Sequence, residues 1–414
     1  YSLGNEIKAG AKFGLEGIGT LLKELDNPES GQHFVHVAGT NGKGSTCAMI
    51  AKVCEGSGLR TGLYTSPHLI EPTERIQING SPVSAKIFAD TFETVHNAAE
   101  RLLATGRLDA HPSYFETVTA MALLIFREYC DISIIEVGMG GRLDATNVIT
   151  PDLCVITGIA FDHESYLGNT LEAIAGEKAG IIKPTVPVVM SKQPAAAEAV
   201  FRQRATDLNC ELISTKGARI SDMAATAYDS TFTLEGESYT CGLAGRHQIE
   251  NASAAILACK RLGLRADSIH AGVKDVRWPG RLEFVANSPD FVLDGAHNPA
   301  GAAALASYIR EFWLGRPVWL VYGAMRDKAI EEVADQLFPL AEQLIVTAPD
   351  FPRAVRSHAI LEIHNHPNSA IAPTVADAIE LARAAPCDAV VFFTGSLFLV
   401  GEARALLART PVAA

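Results

Sequence analysis

The fold is decided by the stretch His36-Val37-Ala38-Gly39-Thr40-Asn41-Gly42-Lys43-Gly44-Ser45-Thr46. It continues an apolar run that begins at Phe34, and it leads into residues 47–54, whose apolar side chains recur at helical spacing. A strand, a glycine-rich loop and a helix in this order are the context of a phosphate-binding loop. Glycines let backbone N–H groups close around phosphate oxygens, and the helix N-terminus adds a positive partial charge. The stretch therefore predicts a strand–loop–helix unit that binds a nucleotide.

Side chains in this loop supply the other groups that a nucleotide requires. Lys43 can reach the terminal phosphates, and Ser45 or Thr46 offers a hydroxyl group to Mg²⁺. The match to the pattern G-x-x-x-x-G-K-[ST] is imperfect, because Val37 occupies the first glycine position and Gly44 separates the lysine from the serine. A glycine-rich turn without a ligand is the alternative, and three glycines at the mouth of one strand–helix unit argue against it.

Length, composition and charge limit the class of protein. At 414 residues the chain is longer than one hydrophobic core usually serves, so two domains are expected. Apolar content of 48% and charged content of 20% are typical of a soluble globular enzyme. The net charge of −12 argues against non-specific nucleic-acid binding. With no apolar run of membrane-spanning length and eight scattered cysteines, we expect reduced thiols and a cytoplasmic protein without membrane contact.

The order of elements predicts the architecture. Strands alternate with helices along most of the chain, which favours a mostly parallel sheet with helices on both faces. Residues 210–243 consist of short, threonine-rich segments in which polar and apolar residues alternate, which indicates a small antiparallel sheet. Residues 287–290 are interpreted as a linker, after which a second α/β series begins. The predicted domains are residues 1–287 and residues 288–414.

Polar side chains follow several predicted strands, at the positions where open α/β sheets bind ligands. Ser66, Glu136 and His163 carry the hydroxyl, carboxylate and imidazole groups that suit Mg²⁺ on nucleotide phosphates. Glu136 is the strongest of them, since a carboxylate near the end of a buried strand is costly unless it is paired. A lone histidine is usually structural, and Asp162 beside His163 strengthens the functional interpretation. Lys178 ends a helix, so its spacing alone predicts a surface residue that complements the helix dipole.

Three further segments carry polar groups at the start of a helix or at the end of a strand. Ser113 and Glu116 have the spacing of a capping box at the start of a helix over residues 113–129. Residues 294–299 and residues 394–396 follow the first and last strands of the second α/β series. The second domain therefore also carries polar groups at strand ends, and its active face can meet that of the first.

Taken in order, several motifs resemble those of one known family. Residues 38–45 resemble the phosphate loop of the Mur ligase superfamily. The segments that narrow the resemblance are 64–69, 74–76, 113–116, 136–147, 162–168, 177–181, 279–281 and 294–299. Together they resemble the family of folylpolyglutamate synthases and bifunctional dihydrofolate synthase/folylpolyglutamate synthases, over essentially the whole chain.

This resemblance implies an α/β fold and an activity. The fold is a Mur-ligase-type P-loop ATPase domain with a small antiparallel sheet, followed by a Rossmann-like glutamate-ligase domain. The activity is an ATP-dependent amide ligation, in which a carboxylate of dihydropteroate or a reduced folate is phosphorylated and then attacked by the amine of L-glutamate. The products are dihydrofolate and folylpolyglutamates with ADP and phosphate. The implied cofactors are ATP, two Mg²⁺ ions, K⁺ as a further candidate, and a carbamylated Lys178.

The resemblance also implies roles for single residues. The ATP-binding residues are Gly39, Thr40, Asn41, Gly42, Lys43, Gly44, Ser45, Thr46, Asn251, Arg281 and Asp294. The magnesium ligands are Ser66, Glu136 and His163, and the catalytic residues are Lys178, His163 and His297. The pterin or folate contacts are Ser113, Tyr114, Phe115, Glu116, Leu143, Asp144 and Ala145. Glutamate is handled by His297 and Ser396.

Two other functions stay open as alternatives. One is a different Mur-type ligase that extends a cell-wall nucleotide precursor, and the short segment before Phe34 argues against it by leaving little room for a UDP-binding domain. The other is a non-catalytic nucleotide-binding regulatory module, which would not need Glu136, His163 and Lys178 together with Lys43. We expect a monomer whose partners are small molecules.

Overall fold

The structure is a computed structural model that describes residues 14–326 and 329–409, so both predicted domain ranges extend beyond it at the chain ends. The first domain is built on a mostly parallel sheet of eight strands. These are β1 (Phe34–Ala38), β2 (Thr61–Tyr64), β3 (Ile76–Ile78), β4 (Ser81–Pro82), β5 (Ile132–Glu136), β6 (Leu153–Ile156), β7 (Val188–Met190) and β8 (Leu212–Ser214). Their order in space is β4-β3-β2-β5-β1-β6-β7-β8, so β1 lies at the centre, between β5 and β6.

Helices pack on both faces of this sheet. They are α1 (Glu16–Glu24), α2 (Lys43–Gly56), α3 (Ala85–Ala104), α4 (Tyr114–Tyr129), α5 (Glu164–Leu167), α6 (Leu171–Ala179), α7 (Ala195–Asp207), α8 (His247–Arg261) and α9 (Ala266–Asp275). Successive side chains of a strand point to opposite faces, so Val35 and Val37 join the core beneath α2, α8 and α9 while Phe34 joins the core of α1, α3 and α4. The strand ahead of the phosphate loop is thereby buried on both sides.

A small antiparallel sheet follows, as predicted for residues 210–243. Its strands are β9 (Ile220–Ala225), β10 (Ser230–Leu234) and β11 (Glu237–Cys241). The first part of the predicted range behaves differently, because β8 pairs in parallel with β7 as an edge strand of the main sheet. Phe232 and Tyr239 pack into the same core as α8 and α9, so the small sheet covers the outer side of these helices.

The second domain is a six-stranded α/β unit. Its strands are β12 (Glu283–Ala286), β13 (Asp290–Leu293), β14 (Val318–Tyr322), β15 (Gln343–Val346), β16 (Ser369–Ile371) and β17 (Val390–Thr394), in the order β12-β13-β17-β14-β15-β16. All neighbours are parallel except the pair of β12 and β13. Its helices are α10 (Pro299–Phe312), α11 (Ile330–Leu337), α12 (Ser357–Ile363), α13 (Val375–Arg383) and α14 (Leu397–Arg409).

The interpretation of residues 287–290 as a linker is wrong. Residues 287–289 form the turn between β12 and β13, and Glu283 pairs with Leu293 across this antiparallel hairpin. Asn, Ser, Pro and Asp favour turns as strongly as they favour linkers, so composition could not separate the two. The second sheet thus begins at Glu283, ahead of residue 288, where the predicted domain boundary stays a prediction.

Candidate active site

The carboxyl ends of four adjacent parallel strands form one edge of the first sheet. The order β2-β5-β1-β6 brings together the segments that follow these strands. Ser66 follows β2, Glu136 ends β5, Gly39 follows β1 and Thr157 follows β6. This edge is where open α/β sheets bind ligands, and it gathers most of the residues that the sequence singled out.

The phosphate loop has a fixed backbone. Gly42 caps α2 with φ +87°, and a side chain there would also collide with the carboxamide of Asn251. The backbone N–H groups of Thr40 and Asn41 donate to the carbonyl of Gly158 at 2.9 and 3.2 Å. The loop is therefore anchored to the segment after β6, and the N-terminus of α2 remains directed at its mouth.

Side chains of the loop fit a nucleotide with its magnesium ion. Lys43 Nζ lies over the loop and donates to the carbonyls of Gly39 and Thr40, each at 3.2 Å. The hydroxyl of Thr46 is fully buried and has no hydrogen-bond partner among the described residues. The hydroxyl of Ser45, by contrast, accepts from Nε2 of Gln248 at 3.3 Å. A buried hydroxyl without a partner beside a lysine is a donor set that suits Mg²⁺ and phosphate oxygens.

Glu136 and Ser66 lie together, as predicted. The backbone N–H of Ser66 donates to Oε2 of Glu136 at 3.2 Å, and the carboxylate is 5% exposed. Burial raises the pKa of Glu136, and the positive charge of Lys43 is the largest effect that opposes the rise. A buried carboxylate that faces a lysine and has few protein partners fits a metal ligand whose other partners are phosphates.

His163 belongs to a second group, at the contact between the domains. Its backbone N–H donates to Oδ1 of Asp162 at 2.9 Å, and its Nε2 lies 3.8 Å from the same oxygen. The other carboxylate oxygen of Asp162 lies 3.7 Å from Nε2 of His297 and accepts from Asn298 at 3.1 Å. The structure therefore joins the predicted residues His163 and His297 through Asp162.

Lys178 is buried, so the surface position predicted from its spacing is wrong. Lys178 is 4% exposed, and Gly141 packs directly on the backbone of the last turn of α6. The pKa of Lys178 is lowered to about 7, chiefly by burial and secondly by the charge of Lys43. Asp162, Asp144 and Glu177 act in the opposite direction. The buried site therefore favours the neutral amine of Lys178 over its ammonium form.

The remaining predicted ATP residues lie on other elements, and Asn251 is the one shown in contact with the loop. Asn251 lies on α8 against Gly42 and donates to Oε1 of Gln248 at 2.9 Å. Asp294 follows β13, and its carboxylate accepts from the backbone N–H groups of Leu282 and Ala296. Burial raises the pKa of Asp294, and the charge of Arg281 opposes this rise. These contacts hold Asp294 beside Arg281, close to the junction of the two domains.

The predicted glutamate residues lie at strand ends of the second domain. His297 Nδ1 is 2.7 Å from the carbonyl of Gly295, in the segment after β13. Ser396 follows β17, is 2% exposed, and accepts from the backbone N–H of Phe398 at 3.1 Å. The parallel pairing of β13 with β17 brings these two segments to one edge.

The predicted folate residues fall into two sets by local role. Ser113 and Glu116 form the predicted capping box of α4, with hydrogen bonds of 3.2 and 2.8 Å. Phe115 packs against Gly138, and its ring centroid lies 6.0 Å from that of Tyr64. The Tyr114 ring lies beneath a guanidinium group, at 5.2 Å from the Cζ of Arg75. Tyr114 and Phe115 therefore face the sheet edge.

The second set lies in the loop after β5. Asp144 is buried, and its carboxylate accepts from the backbone N–H of Met139 at 2.8 Å and from the Thr146 hydroxyl at 2.5 Å. Leu143 and Ala145 flank it. Asp144 thus shapes the loop through bonds within it, and burial raises the pKa of this carboxyl.

Sequence reasoning left Asn298 without a role and treated Asp162 as a neighbour of His163. Both residues connect the domains. Their sequence features are not specific, because Asp162 is an acidic residue after a strand and Asn298, ahead of Pro299, has the position of a helix N-cap. Among the described residues no group of three or more His, Cys, Asp and Glu could hold a metal ion. A metal ion here would therefore need oxygen ligands from hydroxyl groups and nucleotide phosphates in addition to Glu136.

Two known domain families match this chain, and a named relative is similar over nearly its whole length. The Mur ligase middle domain matches residues 37–259, and the Mur ligase glutamate ligase domain matches residues 280–397. A Bacillus subtilis protein named dihydrofolate synthase/folylpolyglutamate synthase is 34% identical over 413 residues, covering 96% of both chains.

Solved structures agree with this relationship. The Mycobacterium tuberculosis folylpolyglutamate synthase complexed with ADP and AMPPCP has a TM-score of 0.90 and 32% identity, covering 96% of each chain. Escherichia coli FolC in complex with DHPP and ADP has a TM-score of 0.86 and 28% identity, covering 98% of this chain and 95% of that one. The predicted fold class is thereby confirmed. The chain belongs to the Mur ligase superfamily and, within it, to the dihydrofolate synthase/folylpolyglutamate synthase family.

Proposed function

We propose that this chain is an ATP-dependent ligase that adds L-glutamate to dihydropteroate, to reduced folates, or to both. The observation that carries the proposal is the buried Glu136 carboxylate, held by Ser66 at the edge from which the phosphate loop emerges. The same edge carries aromatic side chains for a planar acceptor, and Nε2 of His297 in the second domain lies 3.7 Å from Oδ2 of Asp162. A folate as the acceptor is supported by the relatives, which are named dihydrofolate synthase and folylpolyglutamate synthase.

The chemistry requires activation of a carboxylate. An oxygen of the acceptor carboxylate attacks the γ-phosphorus of ATP, ADP leaves, and an acyl phosphate forms. The amine of L-glutamate then attacks the carbonyl carbon, and the tetrahedral intermediate releases phosphate and a proton to give the amide. Phosphoryl transfer depends chiefly on positioning and charge neutralisation. Lys43 and the backbone N–H groups of the loop provide both at the transferred group.

Mg²⁺ on the nucleotide would supply charge neutralisation for the transferred phosphoryl group. Glu136, Ser66 and His163 are its proposed protein ligands. The unpartnered hydroxyl of Thr46 adds a fourth oxygen or nitrogen donor from the loop side. We further propose that the site binds a second Mg²⁺ ion and K⁺. Asn251, Arg281 and Asp294 are proposed to hold the base, phosphates and ribose of ATP.

Lys178 is proposed to be carbamylated. Its neutral amine would attack the carbon of CO₂ and lose a proton, leaving a carbamate anion in place of a buried cation. The lowered pKa of Lys178, about 7, supports this chemistry because the amine must be unprotonated to react. In ¹³C-bicarbonate buffer, the wild-type chain should show a carbamate resonance that Lys178→Met lacks. Equal spectra of the two proteins would exclude the modification.

The folate and the glutamate are proposed to bind at separate groups of residues. Tyr114, Phe115 and the loop of Leu143, Asp144 and Ala145 would line the pterin or folate site, with Ser113 and Glu116 fixing the helix that carries the two rings. His297 and Ser396 would handle glutamate and the acyl phosphate. We further propose that the chain acts as a monomer in the cytoplasm. Among the described residues, no helix has the length and apolar character needed to cross a bilayer.

The test is glutamate-dependent ADP formation. ADP release should require both L-glutamate and either dihydropteroate or tetrahydrofolate, and mass spectrometry of products should show single addition or chain extension. If neither acceptor supports glutamate-dependent ADP release, the folate proposal is wrong. ADP release with a cell-wall nucleotide precursor instead would support the other type of Mur ligase, and nucleotide binding without turnover would support a regulatory module.

A further inference from the structure

Asn298 lies where the second domain meets the phosphate loop, and all hydrogen-bonding positions of its side chain are used. Its Nδ2 donates to Oδ1 of Asn41 at 3.0 Å and to Oδ2 of Asp162 at 3.1 Å. Its Oδ1 accepts from Nδ2 of Asn41 at 3.2 Å and from the backbone N–H of Gly301 at 2.8 Å. A carboxamide has two donor hydrogens and two acceptor positions, so the site matches an asparagine and not its isosteres.

The partner on the first domain is part of the phosphate loop itself. Asn41 precedes Gly42, the residue that caps α2. Its backbone N–H is held by the carbonyl of Gly158 at 3.2 Å, and its side chain is held by Asn298. The conformation of the loop at Asn41 is therefore determined from both domains.

Helix α10 carries Asn298 at its start and meets the first domain again near its end. The hydroxyl of Tyr308 donates to the carbonyl of Ala227 at 2.6 Å. Glu311 forms an ion pair of 2.6 Å with Arg246, just ahead of α8. The helix thus docks at two separate places, and its N-terminal end is the one that reaches the phosphate loop.

We infer that Asn298 is a positioning residue through which docking of the second domain fixes the phosphate loop. The inference rests on the proposed function, in which this loop binds ATP. If docking favours the nucleotide-binding conformation of Asn41, nucleotide binding must favour docking by the same factor. Loss of the Asn298 amide should therefore weaken nucleotide binding although no atom of Asn298 belongs to the loop.

Two substitutions and one control separate this role from a structural one. Asn298→Asp keeps the oxygen that caps α10 and removes both donors, while Asn298→Ser keeps a capping hydroxyl without adding charge. Tyr308→Phe removes the interdomain hydrogen bond at the far end of the same helix. Each full-length protein is titrated with Mg·AMPPCP by calorimetry, after a melting curve without nucleotide verifies that it is folded. Small-angle scattering with and without Mg·AMPPCP reports the domain arrangement.

The expected result is a selective loss of nucleotide affinity. Both Asn298 variants should bind Mg·AMPPCP about tenfold more weakly, because they lose hydrogen bonds to Asn41 and Asp162. Tyr308→Phe should bind as wild type does. In wild type, Mg·AMPPCP should reduce the radius of gyration more than in either Asn298 variant.

Three results would overturn the inference. Unchanged affinity in both Asn298 variants would remove Asn298 from the loop, and an equal loss in Tyr308→Phe would show that any weakened contact between domains suffices. A loss in Asn298→Asp alone would trace the effect to a second carboxylate beside Asp162. Failure of wild type to bind Mg·AMPPCP is a different result, because it would contradict the proposed function itself.

Discussion

The backbone N–H of Ser66 donates a hydrogen bond of 3.2 Å to Oε2 of Glu136, joining the ends of two neighbouring parallel strands. The carboxylate is buried, and burial raises its pKa. Such a group is costly to the fold unless a cation is present to use it. The buried charge of Glu136 should therefore lower the stability of the fold while it serves to bind a cation, so a substitution here tests both effects.

We predict that Glu136→Gln loses activity and keeps its stability. Turnover should fall by roughly two to three orders of magnitude, since metal-assisted charge stabilisation is worth several kcal/mol. The melting temperature should stay level or rise, because a neutral amide is cheaper to bury than a carboxylate. Steady-state ADP release and thermal unfolding check the two parts. Glu24→Gln, at a surface ion pair with Arg101, is the control and should retain turnover.

Lys43→Ala should abolish turnover while the fold remains intact. The ammonium group bonds the carbonyls of Gly39 and Thr40, so its removal costs the folded chain little compared with its loss at the phosphates. Circular dichroism and ADP release measure the two effects. Lys52→Ala removes an exposed lysine of the same helix, whose partner is the partly buried Glu55, and it should behave as wild type. Unchanged turnover of Lys43→Ala would remove the loop from the mechanism.

Gly42→Ala should disturb nucleotide binding beyond its cost in backbone strain. Gly42 has φ +87° and Gly58 has φ +85°, but a Cβ at Gly42 would collide with Asn251 whereas one at Gly58 has open space. Gly58→Ala therefore measures the strain alone, about 1 kcal/mol of unfolding free energy. Urea unfolding and Mg·AMPPCP titration of both variants give the comparison. Equal affinities in the two variants would contradict a role for the contact with Asn251.

Lys178 should make stability depend on pH in an unusual direction. Its pKa falls from 10.5 to about 7 on folding, so between these values the unfolded chain binds more protons and folding becomes more favourable as pH rises. Relative to Lys178→Met, wild type should gain up to about 1.4 kcal/mol of unfolding free energy per pH unit in that range. Denaturant unfolding in CO₂-free buffer tests this. Parallel stability profiles of the two proteins would show that the lysine is not protonated on unfolding.

Features set by neighbouring residues could be predicted from the sequence. The phosphate loop, the capping box of Ser113 and Glu116 and the alternation of strands and helices depend on spacing over a few positions. Contacts across long separations could not be predicted in this way. Asn41 and Asn298 meet through the docking of two domains, and their spacing along the chain carries no sign of it.

Errors arose where tertiary packing overrides a local preference. Lys178 ends a helix and so resembles a surface residue, but it is buried. The turn at residues 287–289 resembles a linker, but it closes a hairpin of the second sheet. In both places the local sequence predicts the backbone conformation, a helix end and a turn. Burial and strand pairing depend instead on residues distant in the sequence.

The central position of β1 has a consequence for how the chain folds during synthesis. Phe34 pairs with Ser133 on one side, and Ala38 pairs with Ile156 on the other. The strand that presents the phosphate loop is synthesised well before both of its neighbours in the sheet. Pairings across such distances are slow and leave strand edges exposed meanwhile. Chains released before β6 is made would therefore leave at least one edge of the apolar β1 unpaired and be prone to aggregate.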